Sequence, residues 1–277
     1  MTTRKIVAAA IVVGILGAAV PASANFVDLI LTDGNSTVMI DPYSSEGVYE
    51  WTIGKTSHLA QQWFWLRAEL PGLDDREYSL DEFAPTPDVS QPTPNVGIIT
   101  YSDGRLEIEV TYVLVSGPGL FAADLAEVIK ITNLSDEDEV FIDFFQYSDF
   151  DLGGTPDDDT VVITGGNRAY QTDGSSAATF SETVVSKNPD LSEVAVHPDI
   201  VVELEDGGID NLNGSTGPLG PDDVSWAFQW DDRIIQPEEA LIISKDKVLI
   251  ANPIAEPSAA LLLAGGLFET YRRRKRR

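Results

Sequence analysis

The densest group of residues able to do chemistry is Asp149, Asp151, Asp157, Asp158 and Asp159, with Gly153 and Gly154 between them and a β-patterned run starting at Thr160. A hard cation takes roughly six to eight oxygens, and a glycine-containing loop between strands can fold several carboxylates and carbonyls around one ion. Calcium at these five aspartates is the chemistry that the spacing allows. The spacing matches no EF-hand, and a solvated acidic loop capping the next strand would use the same residues. Asp143 lies in a run that is apolar on both faces, so if buried it needs a hydrogen-bond or cation partner. Asp222 with Asp223, and Asp231 with Asp232, flank the run 224–230 and read as turn residues.

Aromatic rows are the second feature. Val224, Trp226, Phe228 and Trp230 share one face of an extended segment, and so do Trp63 and Trp65. Such rows can stack on sugar rings, but they also fill the core of a sandwich, which is the better account of them. His58 and His197 are the only histidines, and neither sits in a Gly-x-Ser-x-Gly turn or a His-Glu-x-x-His helix. Both are expected in loops or at the surface. The many carboxylates make a pair at glycosidase separation unavoidable in any fold, so their presence alone carries no weight. No catalytic residue is assigned from the sequence.

The elements that position these residues are strands. In 106–115, Leu106, Ile108, Val110, Tyr112 and Leu114 alternate with Glu107, Glu109 and Thr111, the period of a half-buried strand. Ten further strands are predicted at 26–31, 48–53, 63–70, 96–101, 127–132, 140–147, 160–164, 200–204, 224–230 and 240–244, separated by Asp, Gly, Asn and Pro clusters. Helix is a minor component, with a turn or two expected at 120–126. The stretch 84–95 carries Pro85, Pro87, Pro92 and Pro94, and is expected to be a surface loop or junction. Many short strands joined by turns predict an all-β, antiparallel, jelly-roll-like β-sandwich over residues 25–252.

Composition limits the partners. Of 18 basic residues, eight lie at the two ends of the chain, leaving ten among 43 carboxylates in residues 25–255. Nucleic-acid binding requires a basic face, which this segment lacks. No cysteine is present, so disulfides and thiolate metal sites are excluded.

Residues 1–24 follow the plan of a secretory signal peptide: Arg4 and Lys5, an apolar stretch 6–20, then Ala22-Ser23-Ala24, with cleavage by signal peptidase expected before Asn25. Residues 253–277 hold Glu256, Pro257 and Ser258, an apolar segment 259–268, and the basic cluster Arg272, Arg273, Arg274, Lys275, Arg276 and Arg277. A polar motif, an apolar segment and a basic cluster in that order form a stop-transfer arrangement. Both ends are predicted as short helices.

This tail resembles the PEP-CTERM sorting signal of Gram-negative surface and matrix proteins, with Ala255 where the motif's first proline stands and an apolar run interrupted by Glu269. The resemblance implies an exosortase-like sorting enzyme as partner, transient inner-membrane insertion, and a final place at the cell surface or outside the cell. It also implies a non-enzymatic surface or matrix protein associated with extracellular polysaccharide. Two alternatives stand beside that expectation. A carbohydrate-binding module would expose a row drawn from Trp51, Trp63, Trp65, Trp226 and Trp230. A secreted, carboxylate-dependent glycoside hydrolase would bring two carboxylates with unequal pKa values together in a cleft.

Overall fold

The computed structural model describes residues 27–251, apart from residues 118 and 120. The signal segment, its cleavage site at Ala22, Ala24 and Asn25, the motif Glu256-Pro257-Ser258 and the basic cluster 272–277 lie outside the described residues. Within them the chain runs β1 (Leu29–Asp33), β2 (Ser36–Asp41), β3 (Gly47–Ile53), β4 (Thr56–Ser57), β5 (Gln61–Ala68), β6 (Tyr78–Ser79) and the one-turn helix α1 (Leu80–Phe83). Next come β7 (Asp88–Thr93), β8 (Val96–Ser102), β9 (Leu106–Ser116), β10 (Ala122–Asn133), β11 (Val140–Asp149) and a 3-10 turn at Leu152–Gly154. The last part holds β12 (Asp159–Thr164), β13 (Arg168–Asp173), β14 (Thr179–Ser186), β15 (Leu191–Val196), α2 (Asp199–Glu205), β16 (Leu219–Asp222), β17 (Val224–Ile235) and β18 (Ala240–Ile250).

These strands make two sheets. Sheet A has the order β1-β2-β3-β5-β11-β17-β15, with β4 and β6 attached at its side; sheet B has the order β16-β12-β13-β14-β18-β10-β9-β8-β7. Pairing is antiparallel except for a short parallel contact of β3 with β5. The expected all-β sandwich is therefore present. Alternation decides which face each residue takes: in β9, Leu106, Ile108, Val110, Tyr112 and Leu114 are buried while Glu107, Glu109 and Thr111 are half-exposed.

Between the sheets lie aromatic rings and a network of lysines, glutamates and glutamines. Phe64 of β5 stacks on Phe144 of β11 at 5.6 Å, and Phe150 stacks on Trp226 of β17 at 5.5 Å. None of the five tryptophans is more than 1% exposed, so the aromatic rows fill the core. In β18 the inward positions include Lys245 and Lys247, which register opposite Glu127 of β10 and Glu182 of β14. Lys245 Nζ lies 2.6 Å from Glu127 and 3.5 Å from Glu182, and Lys247 pairs with Glu127. Gln146 and Gln62 of sheet A accept hydrogen bonds from the two ammonium groups at 2.5 Å and 2.7 Å. Burial alone would raise the Glu127 carboxyl, but the two lysines beside it hold it below the usual range.

Three sequence expectations are corrected. Residues 200–204 form helix α2 and not a strand: Ile200, Val201 and Leu204 are buried while Val202 and Glu203 point away, which is helical spacing carried by β-branched residues. The proline-rich stretch 84–95 contains β7, which pairs only with β8 at the rim of sheet B, where Pro92 interrupts no inner ladder. The expected helical turn before residue 126 is instead the first part of β10, in register with β9 and β18 from Ala122 onward.

Candidate functional site

Strand β11 carries two kinds of residue. Its positions Phe144, Gln146 and Ser148 face sheet B, so Phe145, Tyr147 and Asp149 fall on the opposite face of sheet A. On that face Trp65 of β5 meets the Tyr147 ring edge-on at 6.3 Å. Helix α2 crosses it, touching β15, β17 and β6. The helix starts just after His197-Pro198, and its last residues Leu204 and Glu205 wall a pocket of about 370 Å³ that is also lined by Trp65, Glu77 and Asp81.

At the His197 end of α2, three side chains converge. The Tyr147 hydroxyl lies 2.9 Å from His197 Nδ1, and Asp149 Oδ2 lies 3.1 Å from the same nitrogen. No hydrogen bond of the described residues engages Nε2, and about a third of the His197 side chain is exposed. Asp149 is buried and belongs to a carboxylate triad with Asp151 and Asp223, one oxygen of each lying within 4.8 Å of the others. Burial, then the like charges of Asp151, Asp223 and Asp159, push Asp149 up to about 8. Asp151 and Asp223 are also raised, chiefly by burial, with His197 opposing the effect in both. The result is a cluster that holds a proton at neutral pH beside an imidazole whose outer nitrogen is accessible.

The second triad lies at the same end of the molecule, between the sheets. Asp159 opens β12 and Asp173 closes β13 directly opposite it, with Asp158 alongside. Burial and then the neighbouring Asp173 and Asp158 raise Asp159 to about 8, against the opposing hydrogen bonds from Leu152 N–H and Gln171. Asp173 behaves in the opposite way. Its burial is outweighed by donors from Ser175 and Ser176, which hold it below the usual range. His58 is buried here and not at the surface as expected, accepting the Gly153 N–H at Nδ1 over 3.0 Å, and burial lowers it to about 4 despite Asp173.

The five aspartates of the calcium expectation are thus split. Asp149 and Asp151 join Asp223, Asp158 and Asp159 join Asp173, and Asp157 stands beside the first group as a like charge to Asp151 and Asp223. Asp223, expected in a turn, is an acidic member of the first triad, and Asp173 had no sequence signal of its own. His197 contacts Asp149 of the first triad, and His58 feels the charge of Asp173 in the second, which their isolation in the sequence did not reveal. Asp143 has the cation partner that its surroundings require: Arg67 Nε donates to it at 2.8 Å, while the same guanidinium binds Glu77 and the Asp210 carbonyl. A third acidic group, Asp143 with Asp231 and Asp232, is anchored on that arginine.

No protein-family model matches the chain, and no curated protein sequence matches it. Solved structures do match in fold. A galactose mutarotase-related enzyme from Lactobacillus acidophilus aligns over 82% of this chain and 99% of its own, with a TM-score of 0.53 and 8% identity. A protein of Escherichia coli K12 assigned as an aldose 1-epimerase aligns over 81% and 98%, with a TM-score of 0.50 and 9% identity. A bacterial glucoamylase aligns over 84% of this chain at a TM-score of 0.52 and 11% identity, and this chain spans 32% of that enzyme's length. The sandwich is therefore a fold shared with enzymes that act on sugars. That finding corrects the expectation of a non-enzymatic surface or matrix protein, and with it the expectation that the chain is no enzyme. The exposed tryptophan row required of a carbohydrate-binding module is also missing, since all five are buried.

Proposed function

We propose that this chain is a carbohydrate-active enzyme that carries out acid–base chemistry at the anomeric carbon of a sugar, in the manner of an aldose epimerase. The observation that carries the proposal is the His197 imidazole, gripped at Nδ1 by Tyr147 and Asp149 and free at Nε2, beside the Asp149 carboxyl, which burial and its acidic neighbours push up to about 8. A base oriented through its second nitrogen, paired with an acid of shifted pKa, is the arrangement that general acid–base catalysis needs. His197 Nε2 takes the proton of the C1 hydroxyl as the C1–O5 bond breaks, and a protonated carboxyl of the triad delivers a proton to O5. Rotation about C1–C2 and the reverse proton transfers close the ring on the other face. The fold shared with the mutarotase-related enzyme and the aldose 1-epimerase, over nearly the whole of each, supports this substrate class.

Polarimetry of freshly dissolved α-D-glucose and α-D-galactose tests it. The purified protein should speed the approach to the equilibrium rotation above the spontaneous rate, and His197→Ala should remove the acceleration. Release of nitrophenol from nitrophenyl glycosides in place of that acceleration would mark a carboxylate-dependent hydrolase, favoured only by the close triad of Asp149, Asp151 and Asp223. Activity in neither assay would end the proposal.

The enzyme acts outside the inner membrane in this proposal, with signal and sorting helices flanking a jelly-roll-like sandwich. Supporting it are the signal-like residues 1–24 and the tail with Glu256, Pro257, Ser258 and the 272–277 cluster. An intact mass starting at Asn25 and ending near Glu256, for protein recovered from the native envelope, is the expected result. A mass retaining Arg277 would exclude processing of the tail.

A further inference from the structure

The second triad has features that the acid–base site does not use. Asp158, Asp159 and Asp173 place three carboxylates within 4.8 Å of one another, and no ion pair among the described residues reaches any of them. One oxygen of Asp159 is taken up by the Leu152 N–H at 3.0 Å and by Gln171 Nε2 at 2.8 Å. Its other oxygen, Oδ1, is wholly buried and has no partner, and Asp158 Oδ1 is in the same position.

Gln171 supplies an observation from outside the acidic cluster. It is fully buried, two residues before Asp173 on the same inward face of β13, and its Nε2 is committed to the Phe150 carbonyl and to Asp159. Its Oε1, an acceptor by chemistry, has no partner. Buried acceptors without donors are costly, and here three of them lie around one carboxylate triad. A hydrogen-bond donor from the protein would relieve one; a cation relieves all of them together. His58 Nδ1 is already engaged, accepting the Gly153 N–H at 3.0 Å.

We propose that Asp158, Asp159, Asp173 and the Gln171 carbonyl oxygen bind one calcium ion, which ties the ends of β12 and β13 to the 150–155 loop that closes this end of the sandwich. All four donors are hard oxygens, which suits calcium over softer metals. The site is separate from the His197 cluster and needs no sugar, so its failure would leave the epimerase proposal standing.

Calorimetric titration of chelator-treated, dialysed protein with calcium chloride, paired with thermal melts with and without the ion, tests it. One equivalent should bind, and calcium should raise the melting temperature. Asp159→Asn should weaken binding by about 10-fold or more and remove most of the melting shift, while Asp149→Asn should leave both intact. Should Asp159→Asn fail to fold, the half-exposed Asp158→Asn gives the same comparison. Wild type that takes up no calcium would overturn the site, as would calcium binding by both the Asp158 and Asp159 variants at wild-type strength. Loss of binding in Asp149→Asn alone would move the ion to the other triad and overturn this assignment.

Discussion

Two of the polar clusters in this sandwich are built on opposite principles. At its centre, Lys245 and Lys247 meet Glu127 and Glu182, so each inward charge has an opposite charge in contact and Gln62 and Gln146 take further ammonium protons. At its end, Asp149, Asp151 and Asp223 lie beside Asp158, Asp159 and Asp173 with no lysine or arginine ion pair among the described residues and several oxygens unpartnered. Matched charges hold two sheets together and leave nothing to react with. Unmatched carboxylates raise one another's proton affinity, which costs stability and is what a catalytic or ion-binding site requires. In the proposed reading, chemistry belongs at the end of the molecule and structure at its middle.

Removing one member of the matched cluster should have the largest effect on folding. Lys245→Met leaves Glu127 and Glu182 short of a cation in the core, and breaking a buried pair costs about 3–5 kcal/mol, readable as a lower midpoint in urea. Replacing Lys245 and Glu127 together by apolar residues should recover part of that loss. A single variant as stable as wild type would mean that the central network contributes nothing to the sheet contact. In the unmatched cluster the expected effect is on rate: His197→Ala should lower kcat/KM for sugar mutarotation by about 10²- to 10⁴-fold with a nearly unchanged melting temperature. If the fold were lost instead, His197 would belong with the structural residues and the contrast between the clusters would fail.

The two clusters were unequally legible in the sequence. Strands such as β9 and β17 were visible because period-two alternation is a local property, and the tryptophans of β5 and β17 proved to be core as their spacing suggested. The central network was hidden: Lys245 and Lys247 look like exposed positions until β18 is registered against β10 and β14, which brings Glu127 and Glu182 opposite. Helix α2 was misread because Ile200, Val201 and Val202 have strand-forming side chains, and only tertiary packing sets their helical spacing. Of the acidic end, the aspartates at 149–159 were legible as a dense run. Their division was not, because Asp223 and Asp173 arrive from β16–β17 and β13 through pairings that no short window contains.

A change of pH should separate the clusters more finely. The folded chain holds a proton on Asp149 up to about 8, whereas the unfolded chain releases it near the ordinary value of 3.8. The folded form therefore binds the extra proton between those limits, and stability falls as pH rises from about 4 to about 8, at up to about 1.4 kcal/mol per pH unit for this one group. Asp149→Asn, which cannot titrate, should show a correspondingly flatter profile in urea melts across that range. A variant with the wild-type slope would mean that Asp149 is ionised in the folded protein, and the unmatched cluster would then lack its acid.

The smallest expected effect distinguishes positioning from packing at Tyr147. Its hydroxyl lies 2.9 Å from His197 Nδ1, while its ring rests edge-on against Trp65. Tyr147→Phe keeps the ring contact and deletes only the hydroxyl, so stability should change by no more than about 0.5–1.5 kcal/mol, the worth of one hydrogen bond. If the hydroxyl fixes the imidazole, kcat should fall several-fold with little change in KM, and the pH profile of kcat should shift as Nδ1 is left to Asp149 alone. If kcat and its pH profile are both unchanged, Asp149 suffices to orient His197, and Tyr147 belongs by its ring to the packed face of sheet A.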